Sequence, residues 1–189
     1  MGRLNTTSKR QPQSAAATED AAGRHASSTA TVPRRVSQAI FQLTALYHRL
    51  LLIVAAPSSG KTGLLRTCER TVACSYLNLS LTLSQRLLEL KAQDRALQAQ
   101  NILNDVLTGE GLLLVDNIEL LFDPSLQLDP LRALKAVSRR RSLVVAWPGT
   151  LDNGYLTYAE PGHPEYRRYE PHDLADILVV DVTTLQSEV

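Results

Sequence analysis

Six apolar residues, Leu50 to Ala55 (LLLIVA), run without a polar interruption into Ala56-Pro57-Ser58-Ser59-Gly60-Lys61-Thr62-Gly63. A short run that is apolar on both sides suits a strand covered from both faces, as in a parallel sheet flanked by helices. A Gly-Lys-Thr turn that leaves such a strand and opens a helix matches the end of the Walker A pattern. Together the two features predict an α/β fold in which the loop after this strand faces an anion.

Each loop residue then has a physical task. Gly60 lets the backbone approach phosphate oxygens, successive N–H groups form an anion nest, and the following helix adds the positive end of its dipole. Lys61 neutralises the β- and γ-phosphates, and Thr62 presents a hydroxyl to Mg2+. Ala55, Ala56, Pro57, Ser58, Ser59 and Gly63 complete the cradle, so the expected cofactors are ATP or GTP with Mg2+. The loop reads phosphates, and no base-reading motif decides between the two nucleotides. Ala55 stands where the pattern has its first glycine, a difference of one methyl group.

Gly111 to Asp116 (GLLLVD) has the form of a Walker B strand, an apolar run ending in an acid that holds Mg2+ beside Thr62. It lies about 50 residues after Lys61 with one strand between, the spacing of P-loop ATPases that carry an inserted strand. In those enzymes the next residue is a glutamate that activates water; here it is Asn117, which can hold a water but cannot take its proton. Glu119 is the nearby carboxylate that could do so, or it merely caps the next turn. The expected catalytic set is therefore Lys61, Asp116, Asn117 and Glu119, with slow turnover.

Ser75–Leu79, Ser142–Trp147 and Ile177–Val182 repeat the short apolar signature, and helical periodicity covers Leu83–Lys91, Leu97–Leu107 and Pro130–Arg140. Asp129 reads as the N-cap of the last of these, with Pro130 in its first turn. A further helix has Val36, Ile40, Leu43 and Tyr47 on its apolar face. The fold class is thus α/β, a three-layer P-loop NTPase core with a mainly parallel sheet of about five strands. Residues 1–35 hold six Lys/Arg against two acids and almost no large apolar groups, which predicts a disordered basic tail before one nucleotide-binding domain over 36–189.

Residues 148–173 interrupt the alternation with Pro, Gly and Tyr, and Tyr155–Tyr158 and Tyr166–Tyr169 read as a hairpin inside a loop far longer than an ordinary connection of about 4 to 6 residues. Thr150 sits where a γ-phosphate sensor would. Arg167 and Arg168 could serve as a trans-acting finger, a partner contact or ordinary ion pairs. Arg139, Arg140 and Arg141 end a helix, where cations balance the dipole. His163 and His172 lack converging ligands, so no metal beyond the nucleotide's Mg2+ is expected.

With 44% apolar residues among 189, the chain can bury one full core. No eighteen apolar residues run together, and Cys68 and Cys74 have neither metal nor redox spacing, so a cytoplasmic protein without membrane contact is expected. Removing the basic tail leaves fourteen Lys/Arg against seventeen acids, and no basic stripe is visible. Direct DNA binding by the isolated domain is accordingly not expected.

Four stretches, Leu46–Thr62, Tyr76–Leu90, Leu112–Leu134 and Trp147–Glu170, together resemble BrxF, the small P-loop protein of type 3 bacteriophage exclusion (BREX) systems. The resemblance covers nearly all of residues 36–182 and carries over at Gly60, Lys61, Thr62, Asp116 and Asn117. It implies a bacterial anti-phage role beside a large ATPase, a methyltransferase and a phosphatase-like protein. Three activities fit: a nucleotide-gated assembly subunit that forms a homo-oligomer, a small-molecule or nucleotide kinase, and a DNA-engaging motor or loader.

Overall fold

Alternation along one strand sets the depth of the molecule. In β1 (Leu50–Ala55) every residue is buried. Leu50, Leu52 and Val54 pack into one apolar cluster and Leu51 and Ile53 into another, because successive side chains of a strand point to opposite faces. The computed structural model describes residues 32–56 and 59–185. The tail expected over residues 1–35 lies, as far as residue 31, outside the described residues, as do Pro57 and Ser58 of the loop.

The first cluster is closed by α3 (Leu79–Leu88), α4 (Ala92–Leu107) and α5 (Pro130–Ser138), through Leu83, Leu103 and Leu134 among others. The second is closed by α1 (Arg34–Gln42) and α2 (Lys61–Thr71), through Val36, Leu65 and Cys68. Each fully buried Leu or Val stabilises the fold by about 1.5 to 3 kcal/mol. Between these helical layers runs a five-stranded parallel sheet in the order β2 (Cys74–Asn78), β3 (Leu112–Asp116), β4 (Ser142–Pro148), β1, β8 (Leu178–Asp181). The expected three-layer α/β class and its five strands are what the chain forms.

A second, antiparallel sheet is inserted between β4 and β8: β5 (Thr150–Asp152), β6 (Tyr155–Tyr158) and β7 (Arg167–Tyr169). The sequence predicts β6 and β7; the short β5 was not expected. Trp147 anchors this sheet, donating from its indole N–H to the Thr157 carbonyl at 2.9 Å. Around it Phe122 stacks on Tyr158 with centroids 3.6 Å apart, and both Phe122 and Tyr169 meet the indole edge to face.

Two helical faces differ from expectation. α1 tightens into a 3-10 turn at Leu43–Ala45 and the chain becomes extended at Leu46 in order to enter β1. Tyr47 therefore leaves the packing face and stands 70% exposed, while Ala39 takes a buried place. α3 begins at Leu79, directly at the end of β2, because the Asn78 side chain accepts from the Leu81 N–H and caps the helix without a loop. The Asp129 cap of α5 is present, accepting from the Arg132 N–H at 2.9 Å, with Pro130 in the first turn. Among the described residues no helix is long and apolar enough to cross a membrane.

Candidate functional site

The loop after β1 turns into α2 at Gly60, whose φ of +86° is a left-handed conformation that glycine adopts without strain. The Leu64 N–H bonds back to the Gly60 carbonyl at 3.0 Å, so the helix is regular from its first turn. Its leading N–H groups lack helical partners and gather at the positive end of the dipole. Ser59, Gly60, Lys61 and Thr62 line a cavity of about 300 Å³ there. Thr62 and Gly63 are exposed at the head of the helix.

Lys61 is only 8% exposed, and its ammonium folds back onto the loop. Nζ donates to the carbonyls of Ala55 and Ala56 at 2.5 and 2.7 Å and to Ser59 Oγ at 3.5 Å. Burial lowers the Lys61 pKa, and the charges of Glu119 and Asp116 act against that shift. Both carboxylates therefore lie within electrostatic reach of the ammonium. The Ala55 carbonyl has a second donor, the Gly149 N–H at 3.1 Å. Loop and β4 are thus joined at the same oxygen that holds the lysine.

Asp116 ends β3, and in the sheet β4 lies between it and β1. Its side chain is almost fully buried and both oxygens are engaged. Oδ1 accepts from the Asn117 N–H at 3.0 Å, and Oδ2 accepts from the Tyr76 hydroxyl at 2.8 Å. Tyr76 in turn lies under the Arg66 guanidinium of α2, 3.5 Å from the ring centroid. Burial and the neighbouring Asp116 push the Tyr76 hydroxyl up to about 12, so it keeps its proton and donates this hydrogen bond at neutral pH. Sequence reasoning missed Tyr76; the one available signal was an aromatic residue in the strand before the Walker B strand.

Asn117 has φ of +53°, and its carbonyl accepts from the Ser80 N–H at 2.8 Å. Asparagine tolerates this left-handed region far better than glutamate, so backbone geometry accounts for the residue that replaces the expected base. Glu119 is exposed and opens the 3-10 turn Glu119–Phe122. Its charge acts on both Lys61 and Tyr158.

Beside the loop a larger cavity, about 720 Å³, extends from Ala56 past Gly149 and Thr150 to Tyr158, Glu160 and Tyr166. Thr150 lies in its wall with Oγ1 2.7 Å from Thr157 Oγ1. The two arginines of the hairpin are occupied locally: Arg167 donates to the Tyr166 carbonyl at 2.9 Å, and Arg168 stacks over Tyr155 at 3.9 Å.

No family model and no curated protein matches the chain. Among solved structures, C. elegans PCH-2 is similar at 15% identity and a TM-score of 0.36, over 80% of this chain. The chain spans 40% of the length of that structure. Likeness at this level adds nothing to the site chemistry, which stands on the residues. The fold is a three-layer α/β sheet with the Gly-Lys-Thr loop directly after β1. It brings the loop, Thr62, Lys61, Asp116 and Glu119 to one end of the sheet and leaves Arg139–Arg141 at the other.

The donor set fits a nucleoside triphosphate with Mg2+. Helix amides and a lysine whose present acceptors are the loop's own carbonyls can be exchanged onto phosphate oxygens. Thr62 and Asp116 supply a neutral and an anionic oxygen of the kind that holds Mg2+. Bound Mg2+ would neutralise charge on the phosphates; Asp116 would be kept in place by Tyr76 and the Asn117 amide.

Proposed function

We propose that residues 36–189 form one ATP-binding domain, with GTP as the other candidate, and that the protein is a weak or partner-stimulated ATPase serving a cytoplasmic BREX-type anti-phage system. The observation that carries the nucleotide reading is Lys61, at the head of a helix entered through a left-handed Gly60, within electrostatic reach of a buried strand-end Asp116. Slow turnover follows from Asn117, because the residue after the acid has no group that accepts a proton from water. The defence role is supported by the four stretches that resemble BrxF, and its partners would be the large ATPase, the methyltransferase, the phosphatase-like protein or further copies of this chain.

Nucleotide binding and hydrolysis, measured side by side for wild type, Lys61→Ala and Asn117→Glu while particle size is followed, test the reading. Tight MgATP binding, slow turnover, loss of binding in Lys61→Ala and faster turnover in Asn117→Glu are expected. Wild type that binds no nucleotide would sink the proposal. Co-purification of the tagged chain with the other BREX proteins, expressed together, tests the defence role separately, and its absence would remove that part alone.

A further inference from the structure

At the end of the sheet opposite the phosphate loop, the segments that enter the strands collect four arginines. Arg49 precedes β1, while Arg139, Arg140 and Arg141 connect α5 to β4. In linear order Arg49 lies 90 residues before Arg139, and the three consecutive arginines read as partners of a helix dipole; the parallel register brings Arg49 beside them. The Arg49 guanidinium donates to the Arg139 carbonyl at 2.8 Å. Arg141 is buried, with Nη1 donating to the Leu107 and Thr108 carbonyls at the end of α4 at 3.3 and 2.9 Å. Its Nε has no hydrogen-bond partner.

Two cavities of about 340 Å³ each share Arg140 and Arg141 as walls. Arg139 and Asn104 line one of them; Arg49, Thr44 and Ile40 line the other. Neither of these two cavities is lined by an Asp or a Glu, although Glu110 lies in the turn entering β3 and Arg139 also borders a third cavity that holds Asp129 and Asp173. Two aromatic side chains stand out of the surface alongside. Phe41, next to Ile40 on α1, is 86% exposed, and Tyr47 is 70% exposed with the Arg139 guanidinium 5.3 Å from its ring centroid.

Guanidinium groups over these two hollows attract a polyanion, and exposed rings at the same edge, Tyr47 beside Arg139 and Phe41 next to Ile40, supply flat surfaces on which unpaired bases stack. A duplex buries its base faces and would leave the rings unused, and an acidic peptide would engage the arginines alone. We propose that this edge binds single-stranded nucleic acid, with Arg49, Arg139 and Arg140 on phosphates and Tyr47 and Phe41 against bases. The six-residue strand β1 separates it from the phosphate loop by roughly 20 Å, so it does not rest on the nucleotide reading.

The test is anisotropy of dye-labelled oligo-dT and oligo-U, roughly 20 nucleotides long to exceed one domain's footprint, titrated with the full chain at several salt concentrations. Tyr47→Ala and Phe41→Ala should each weaken binding about tenfold. Arg139→Ala with Arg140→Ala should lower the slope of log K against log salt by about 0.7 per lost phosphate contact, while Arg86→Ala on the exposed face of α3 changes nothing. Preference for one oligonucleotide identifies the strand as DNA or RNA, and either supports the proposal. It is overturned if neither strand binds at low salt, or if the variants bind like wild type, which would assign binding to the basic first 31 residues. It is equally overturned if the arginine changes matter, the aromatic ones do not, and polyglutamate displaces the strand.

Discussion

The Tyr76 hydroxyl donates to the Asp116 carboxylate at 2.8 Å, so the acid at the end of β3 is steadied from the neighbouring strand β2. A hydrogen bond to a charged group contributes about 1.5 to 3 kcal/mol. Tyr76→Phe should lower stability in urea unfolding by that amount or somewhat less and weaken the dependence of nucleotide binding on Mg2+. The pH dependence has a definite sign. The hydroxyl is pushed up to about 12, above its unfolded value, so its contribution is complete below about pH 10 and is lost as pH rises through 12. Wild type should show this alkaline loss of stability and Tyr76→Phe should lack it.

At Gly149 an added Cβ would lie 1.9 Å from the Thr157 carbonyl oxygen and 3.0 Å from Trp147 Nε1. Neither neighbour can yield cheaply, since they are the two ends of the bond that ties the antiparallel sheet to β4. Gly149→Ala should cost about 1 to 3 kcal/mol in urea unfolding followed by circular dichroism. Gly63→Ala, where an added methyl meets nothing within 4 Å, should be neutral or stabilising.

Lys61 has a pKa lowered by burial, so between that value and 10.5 the unfolded chain binds more protons and stability rises with pH. Lys61→Met should flatten this rise. With MgATP at a hundred times Kd, wild type should gain about 2.7 kcal/mol and Lys61→Met nothing. Thermal unfolding with and without MgATP separates the two contributions, and equal gains in both proteins would refute the role of Lys61.

Asp176 joins the segment before β8 to α5 and to the chain before β1, accepting from Lys135 Nζ at 2.5 Å and facing His48 Nε2 at 3.2 Å. Burial alone would raise its pKa, but the hydrogen bond and charge of Lys135 outweigh it and hold the carboxyl below the usual range. Its contribution is present above the unfolded value near 4 and is lost as pH falls through the folded one. Asp176→Asn should flatten the acid limb of a stability profile below about pH 4, by less than about 1 kcal/mol because the carboxylate is half exposed.

Strand β1 and the hairpin strand β6 have the ends that apolar and turn patterns predict, and Asp129 caps α5 as its place before Pro130 requires. Those signals are local, which is why they could be read from linear order. Tyr76 bonding to Asp116 depends on which strands are neighbours, and the grouping of Arg49 with Arg139 depends on parallel register, neither of which periodicity encodes. Asn117 is a different case. As a missing base it is visible in the sequence; the backbone reason for it, a φ of +53°, appears only once the chain after β3 has turned toward Ser80. Asn117→Glu therefore carries a conformational cost of about 1 to 2 kcal/mol beside any gain in turnover. Leu97 on α4 shows the reverse failure, an apolar residue at helical spacing that remains 76% exposed.

Trp147 is the chain's single tryptophan. Its ring is shut between Phe122 and Tyr169, and its N–H is held by the inserted sheet. The protein consequently carries its own optical label at the seam between the two sheets. Emission from that one indole reports whether the small sheet is seated, with no dye attached, and a shift on adding nucleotide would show that events at the phosphate loop are felt across the Ala55 carbonyl.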